Sequence, residues 1–437
     1  LTNPLVACRH CGTLHERVPI EKGAMACCNV CGYVLYRQSY FTLDGWLSLV
    51  LTTLVVFGIA NYFPIATLNV QAMTVHANLP HALYLTWQQG HYTLSVMTGM
   101  FAFWLPLSQI LCCLWALTAI RSRRLPADFP YGMRLLGFAE PWSMVPVLML
   151  AILVALVKFA GFATIVPGPA ILAFGVLTVL LTALSRLSSL RLWRHAEDAG
   201  LVPFATAGDI SGDALHSCCL ACGMVQPVPA DGRGVPCVRC RSTTHYRKPR
   251  PFSRVWALII AAWIAYVPAN VLPVMRIRTA VSDAEHTILG GVIELWRLGS
   301  LDLAVIVFVA SVVVPMTKLL ALMVLMTQGR WRGHRVQRQR TRLYELVEFI
   351  GQWSMLDVFV VILMTSMANF PGISQVMAGP AAVSFGLVVI LTMMAAMSYD
   401  PRRGWDARNG ESDTARSPAP AQAPARAAAP SAQQGKA

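Results

Sequence analysis

Two pairs of cysteines stand near the start of this chain, Cys8 with Cys11 in "CRHC" and Cys28 with Cys31 in "CNVC". The pattern returns as Cys219 with Cys222 in "CLAC" and Cys237 with Cys240 in "CVRC". Four thiolates spaced C-x2-C…C-x2-C are what a tetrahedral zinc site needs. Gly12, Gly32 and Gly223 follow the second cysteine of three pairs, where the tight turn around a metal favours a residue without a Cβ. Two zinc ions per chain are therefore expected, one in each four-cysteine ribbon. Iron in a rubredoxin-like centre is the alternative, since the same donors suit it, and a disulfide framework is a third reading that a reducing compartment disfavours. Cys27 and Cys218 are spare neighbours of the ligands; Cys112 and Cys113 lie in an apolar run and read as packing residues.

A second kind of chemistry is carried by charges inside apolar stretches. Lys318, in "VVVPMTKLLALMVLMTQ", stands ten residues before Gln328, about 15 Å along a helix. Asp357, in "QWSMLDVFVVILMTSM", stands twelve residues after Glu345, a similar depth on the next, antiparallel helix. An unpaired charge there costs several kcal/mol, so the two are expected to pair or to face a polar cavity. They are the candidates for a proton relay, with Thr317, Ser354, Thr365 and Lys158 as lesser members. Two other uses stay open: a buried pair that only fixes helix register, and a Lys158 that snorkels to the membrane surface. No catalytic residue is assigned, and a non-enzymatic role is expected.

The elements that position these groups are membrane helices. Of 437 residues 56% are hydrophobic and 13% charged, with mean hydropathy +0.54, which places the chain in the membrane class. Crossing about 30 Å of hydrocarbon takes roughly 20 helical residues. Eight runs qualify, near 45–66, 94–120, 142–164, 169–189, 254–275, 301–327, 346–369 and 380–399. Basic residues collect on the cytoplasmic side. Four arginines lie between Arg121 and Arg134 and six between Arg330 and Arg342, whereas residues 69–93 hold no Lys or Arg. Residues 276–300 hold three arginines balanced by Asp283, Glu285 and Glu294. Both termini and the central linker are therefore expected in the cytoplasm, where the absence of a cleavable leader ahead of Cys8 also puts the first ribbon. The net charge of +14 follows from this bias, and nucleic acid is not an expected partner. Pro106 and Pro315 are expected to interrupt their helices in mid-span, and Asn61 with Pro64 and Asn270 with Pro273 to do so near the outer ends of the first helices.

The chain is also duplicated. An offset of 209 carries Cys28, Asn61, Pro64, Trp87 and Pro106 onto Cys237, Asn270, Pro273, Trp296 and Pro315. Farther on the offset is 211, pairing Trp142-Ser143-Met144 with Trp353-Ser354-Met355. The reading is an all-α polytopic membrane protein of two parallel repeats. Ribbon 1–40 and helices 41–195 make the first; linker and ribbon 196–250 and helices 251–403 make the second. Residues 404–437, rich in Ala and Pro, form a disordered tail. Gln109 and Pro146 stand where Lys318 and Asp357 fall in the other half, so the scaffold does not require the charges.

With "ANYFP" and "ANVLP", "PMTKLLAL", "GQWSMLDVFVV" and "SYDPR" in that order after the doubled ribbon, the chain resembles the paraquat-inducible protein A family, over almost its whole length to about Arg403. The first half departs from the second where "SRLSSLRLWRH" stands in place of "SYDPRRGW". The resemblance implies a multi-pass protein of the bacterial inner membrane that works with a periplasmic mammalian-cell-entry (MCE) family tunnel protein. It also implies that the chain loads phospholipid into that partner or receives it from it. No phosphate-binding loop of the G-x-x-x-x-G-K-[ST] type occurs, so no ATP site is evident, and if transport is driven the proton gradient is the expected source. A membrane redox protein and a passive anchor for the MCE partner are the alternatives. The topology is checked with single cysteine reporters: residues 69–93 and 276–300 should be labelled from outside the cell. Labelling of a reporter in 330–342 would invert the arrangement.

Overall fold

The computed structural model describes residues 4–405 apart from 71–72, 160–163, 205–214, 230–232, 280–282, 298, 300, 328–333, 352–354 and 368–373. The tail 404–437 therefore lies almost wholly outside the described residues. Among them, six helices are long and apolar enough to cross a membrane: Leu43–Tyr62, Tyr92–Arg121, Phe129–Val157, Pro251–Val271, Ala304–Met326 and Pro380–Trp405. A seventh counts if Pro169–Leu184 and Ser189–Asp198, bent by 54°, form one span. The remaining expected span, 346–369, runs through residues outside the described ones; its visible part is helix Leu356–Met367. The expected 142–164 span starts earlier, at Phe129, and runs through a 3-10 turn at Glu140–Trp142.

Local chemistry sets the helix ends. Thr42 caps Leu43–Tyr62 by accepting from the Gly45 N–H at 3.2 Å, and Asn78 caps Leu79–Gln88 through His81 N–H at 2.9 Å. Prolines open Pro169–Leu184, Pro251–Val271 and Pro380–Ser398, where a missing N–H costs nothing. Pro106 and Pro315 do not interrupt their helices. A π-helical turn, Met100–Trp104 in one half and Val309–Val313 in the other, stands just before each proline. There Leu105 N–H donates to Met100 O and Val314 N–H to Val309 O, so the chain absorbs the lost bond by widening one turn. Asn61 and Asn270 return their amides to Phe57 O and Tyr266 O, both at 2.9 Å, one turn before the prolines that end those helices.

The molecule is mostly helical but not all-α. Residues at the ends of the expected spans and between them form two small antiparallel sheets. Ala66–Val70 lies between Met73–Ala77 and Thr164–Pro167, and Met275–Thr279 lies between Asp283–His286 and Ser374–Ala378. A short helix follows each hairpin, Leu79–Gln88 and Ile288–Arg297. Within the helical core, Leu43–Tyr62 packs on Pro169–Leu184 and Pro251–Val271 on Pro380–Ser398. Helices Val145–Phe159 and Leu356–Met367 meet each other.

One close approach recurs in both halves. Gly168 N–H bonds Ile65 O at 2.8 Å and Gly379 N–H bonds Val274 O at 2.7 Å. A Cβ at Gly168 would overlap the Pro64 carbonyl, and one at Gly379 the Pro273 carbonyl. Backbone cannot give way as a flexible side chain does, so overpacking here should cost about 1–3 kcal/mol. Gly168→Ala and Gly379→Ala are expected to lower the melting midpoint of the purified protein, while Gly58→Ala, which meets nothing within 4 Å, should leave it unchanged or raise it.

Candidate functional site

Each ribbon is a pair of short hairpins whose turns carry the cysteines. Leu5–Ala7 pairs with Leu14–Glu16 and Met25–Cys27 with Val34–Arg37; His216–Cys218 pairs with Val225–Pro227 and Val235–Pro236 with Thr243–Thr244. In every turn the first cysteine closes the same loop. Cys8 N–H donates to Thr13 O, Cys28 to Tyr33 O, Cys219 to Met224 O and Cys237 to Ser242 O, at 2.8–2.9 Å. Gly12, Gly32 and Gly223 adopt φ of 81°, 80° and 77°, and the fourth turn places Arg241 at φ 56°. That is the conformation the glycines supply at no steric cost.

The four Sγ atoms of Cys8, Cys11, Cys28 and Cys31 all lie within 4.8 Å of one another, as do those of Cys219, Cys222, Cys237 and Cys240. The closest pairs are Cys8–Cys31 at 3.4 Å and Cys11–Cys28, Cys219–Cys240 and Cys222–Cys237 at 3.5 Å. A tetrahedral ion with Zn–S bonds near 2.3 Å separates its sulfurs by about 3.8 Å, so both donor sets fit a metal. All twelve cysteines are free, and the eight in the ribbons are gathered in two sets of four rather than bonded in pairs. Crowding also splits the thiols. Hydrogen bonds from Cys11 and its neighbours drive Cys28 far below the usual thiol range, and those from Cys222 and its neighbours do the same to Cys219. Cys8 and Cys222 are driven far up. A divalent cation held by each set of four would take the place of the protons these thiols otherwise share.

The sulfurs are further supported by His15 Nε2 on Cys28 at 3.3 Å, Thr13 Oγ1 on Cys11 at 3.1 Å, and Ser242 Oγ on Cys219 and Cys240 at 3.0 Å. His10 is buried and stacked on Tyr33 at 3.8 Å between centroids. Burial, with Arg9 adding to it, lowers its pKa to about 4, so its 3.6 Å approach to Glu345 is a contact of a neutral ring.

The ribbons are docked, and the docking elements were illegible in sequence. Trp405, at the end of the span Pro380–Trp405, belongs to the apolar core of the first ribbon with Cys8, Leu35 and Tyr36. The segment in which the halves differ becomes helix Ser189–Asp198, which ties both ribbons together. Its Glu197 receives Arg239 of the second ribbon at 2.6 Å and Arg17 of the first at 3.4 Å. Its Arg194 donates to Leu35 O at 2.9 Å, and its Ser189 to Ala221 O at 3.3 Å.

At membrane depth, Lys318 lies on helix Val314–Thr327 with 2% of its surface exposed, and its Nζ has no hydrogen-bond partner among the described residues. Gln109, its counterpart, is 3% exposed with Oε1 likewise unpaired among them. Asp357 stands on Leu356–Met367 and Lys158 on Val145–Phe159, but the side chains of both lie outside the described residues, as does Ser354 entirely. Thr365 is buried, 3.4 Å from the hydroxyl of Thr86; Thr317 is exposed and bonds back to Val313 O at 2.6 Å. Ser311 and Thr392 are buried hydroxyls that sequence reasoning passed over.

The model of the family described as Paraquat-inducible protein A matches residues 43–197 and again 252–409. The chain belongs to this family. It is 29% identical over 417 residues to the intermembrane transport protein PqiA of Escherichia coli K12, covering 93% of this chain and 97% of that one. It is 28% identical over 411 residues to lipophilic envelope-spanning tunnel protein A of the same strain, covering 94% and 92%. A probable intermembrane transport protein of Haemophilus influenzae is 26% identical over 419 residues, covering 93% and 97%. No solved structure matches. The two family matches begin just after each ribbon, so the ribbons stand outside the matched stretches. Elemental analysis of the purified chain should find about two zinc ions. Cys28→Ser or Cys237→Ser should remove one ion and leave the other, whereas Cys112→Ser should keep both; stoichiometric iron would favour the electron-transfer centre.

Proposed function

We propose that the chain is the inner-membrane subunit of a lipid transport system, loading phospholipid into, or receiving it from, a periplasmic MCE-family tunnel protein. The observation that carries this reading is the near-full-length similarity to relatives named as intermembrane transport proteins. In this reading the two halves are parallel repeats of four transmembrane helices, with both termini and both ribbons in the cytoplasm. Three features support the repeat: the family match in two stretches, the matching packing of first on last helix in each half, and the equivalent π turns. The zinc ions would be structural, each closed by four thiolates with no position left open.

Transport separates from passive anchoring at Lys318. A lysine in an apolar helix, buried and without a partner among the described residues, is expensive in hydrocarbon and of no use to an anchor. We assign proton coupling to Lys318 and Asp357, with Thr365, Ser354, Thr317 and Lys158 as further polar groups along the route. Lys318→Ala or Asp357→Asn is then expected to abolish function in a membrane-barrier assay while the protein still inserts and holds its partner. Loss of one member of a merely structural pair costs about 3–5 kcal/mol, so abundance and melting are measured beside it. Lys318→Met combined with Asp357→Leu removes both charges together. Restored stability with function still absent supports the relay; restored function reduces the pair to a helix brace.

A further inference from the structure

Between the two ribbons and the adjoining ends of the helices lies a cavity of about 870 Å³. Six arginines line it. Arg9, Arg17 and Arg37 come from the first ribbon, Arg134 from helix Phe129–Ala139, and Arg191 and Arg194 from helix Ser189–Asp198. Only two carboxylates face them, Glu140 and Glu197, and Glu197 is already held by Arg17 and Arg239. Among the described residues, the side chains of Arg37 and Arg191 form no hydrogen bond and no ion pair. A smaller cavity of about 320 Å³ shares Arg17, Arg37, Arg191 and Arg194, so these guanidinium groups stand between two open spaces. Like charges gathered from separate elements repel one another, and a guanidinium offers five N–H donors in a planar fork that suits phosphate oxygens.

The lining is not polar throughout. Apolar side chains line the same cavity: Met133, Met393 and Ala396, which are buried, and Met397, which is exposed. A cavity lined both by guanidinium groups and by apolar side chains suits an amphiphile. Basic pockets between helices at the cytoplasmic end are a recurring form of anionic headgroup site.

We propose that this cavity binds a phosphate-bearing anion through Arg37 and Arg191, with the apolar lining beside exposed Met397 receiving the acyl chains when the phosphate belongs to an anionic phospholipid. The site is separate from Lys318 and does not rest on the transport reading. The full chain in a maltoside detergent, at fixed salt, is titrated with three probes: short-chain phosphatidylglycerol, sodium pyrophosphate, and the short-chain diacylglycerol that lacks phosphate. The parent should bind phosphatidylglycerol and not the diacylglycerol. Arg37→Gln combined with Arg191→Gln should weaken that binding about ten-fold or more, the effect of losing charge-assisted hydrogen bonds, with metal content and melting unchanged. Pyrophosphate that binds and displaces phosphatidylglycerol identifies a site satisfied by phosphate alone; phosphatidylglycerol binding that pyrophosphate leaves untouched identifies the lipid headgroup with its chains. If the double variant melts early, Arg37→Gln alone, on an exposed side chain, makes the same comparison. Equal binding of phosphatidylglycerol by parent and variant, or failure of both phosphate compounds to bind the parent, overturns the proposal.

Discussion

Hydrocarbon offers no water to a free N–H or C=O, and most of this structure is a set of answers to that constraint. Where proline removes a donor in mid-helix, the chain widens to a π turn instead of breaking, at Met100–Trp104 and again at Val309–Val313. Where the first helix of each half ends, an asparagine amide bonds back to a carbonyl one turn earlier, Phe57 O or Tyr266 O, and so satisfies itself within the helix. Beyond that end the chain pairs with itself and with the strand that precedes the last helix. Gly168 and Gly379 bring those two segments into backbone contact. The small sheets are thus tied to the helix pairs Leu43–Tyr62 with Pro169–Leu184 and Pro251–Val271 with Pro380–Ser398: each sheet fixes the ends at which those helices start and stop.

At the other end the constraint is different. Hairpins of two to four residues cannot bury a core, so the ribbons depend on their thiolate clusters and on what they dock against. The first ribbon takes Trp405 from the end of the second half into its apolar cluster. The cysteines of the second ribbon pack in one cluster with Leu192 and Trp193 from the end of the first half. Glu197 then joins Arg17 to Arg239 across both ribbons. With Arg239 4% and Glu197 13% exposed at the side chain, removing the carboxylate would leave a guanidinium buried without its partner, so the contact specifies one docking arrangement. The first ribbon thereby contacts the end of the second half, to which it is not joined in sequence, while the second ribbon packs on the end of the first half, which it directly follows.

What could be read from the residues followed the length scale of each signal. The ligands were legible because four thiols at fixed short spacing have few other uses, and the spans because twenty apolar residues outlast any local ambiguity. The sheets were not: strands such as Ala66–Val70 and Met275–Thr279 are five residues long and follow a helix so apolar that their alternation is lost in its wake. Pro106 and Pro315 were legible as a disturbance but not as its remedy, since a π turn has no residue signature of its own. Arg241 shows the same limit from the other side: it takes the left-handed turn position held elsewhere by glycine because the hairpin demands it, against residue preference. Thr317 and Lys318 are neighbours in sequence, yet one is exposed and the other buried, a difference of helix face that only packing decides.

The basic balance of the chain also changes meaning once folded. Read along the sequence, arginines beside spans record orientation, and one by one each is a solvated flank. Folding draws six of them, from positions as far apart as Arg9 and Arg194, to a single cavity, where orientation no longer explains them: a loop charge needs only to stay out of the membrane, and has no reason to converge on five others. The two halves diverge at the same place, since helix Ser189–Asp198 supplies Arg191 and Arg194 and has no counterpart in "SYDPRRGW". Lys318 against Gln109 is the matching divergence in the membrane. The two halves share their π turns and their glycine contacts, and at these two places they differ in where charge is put.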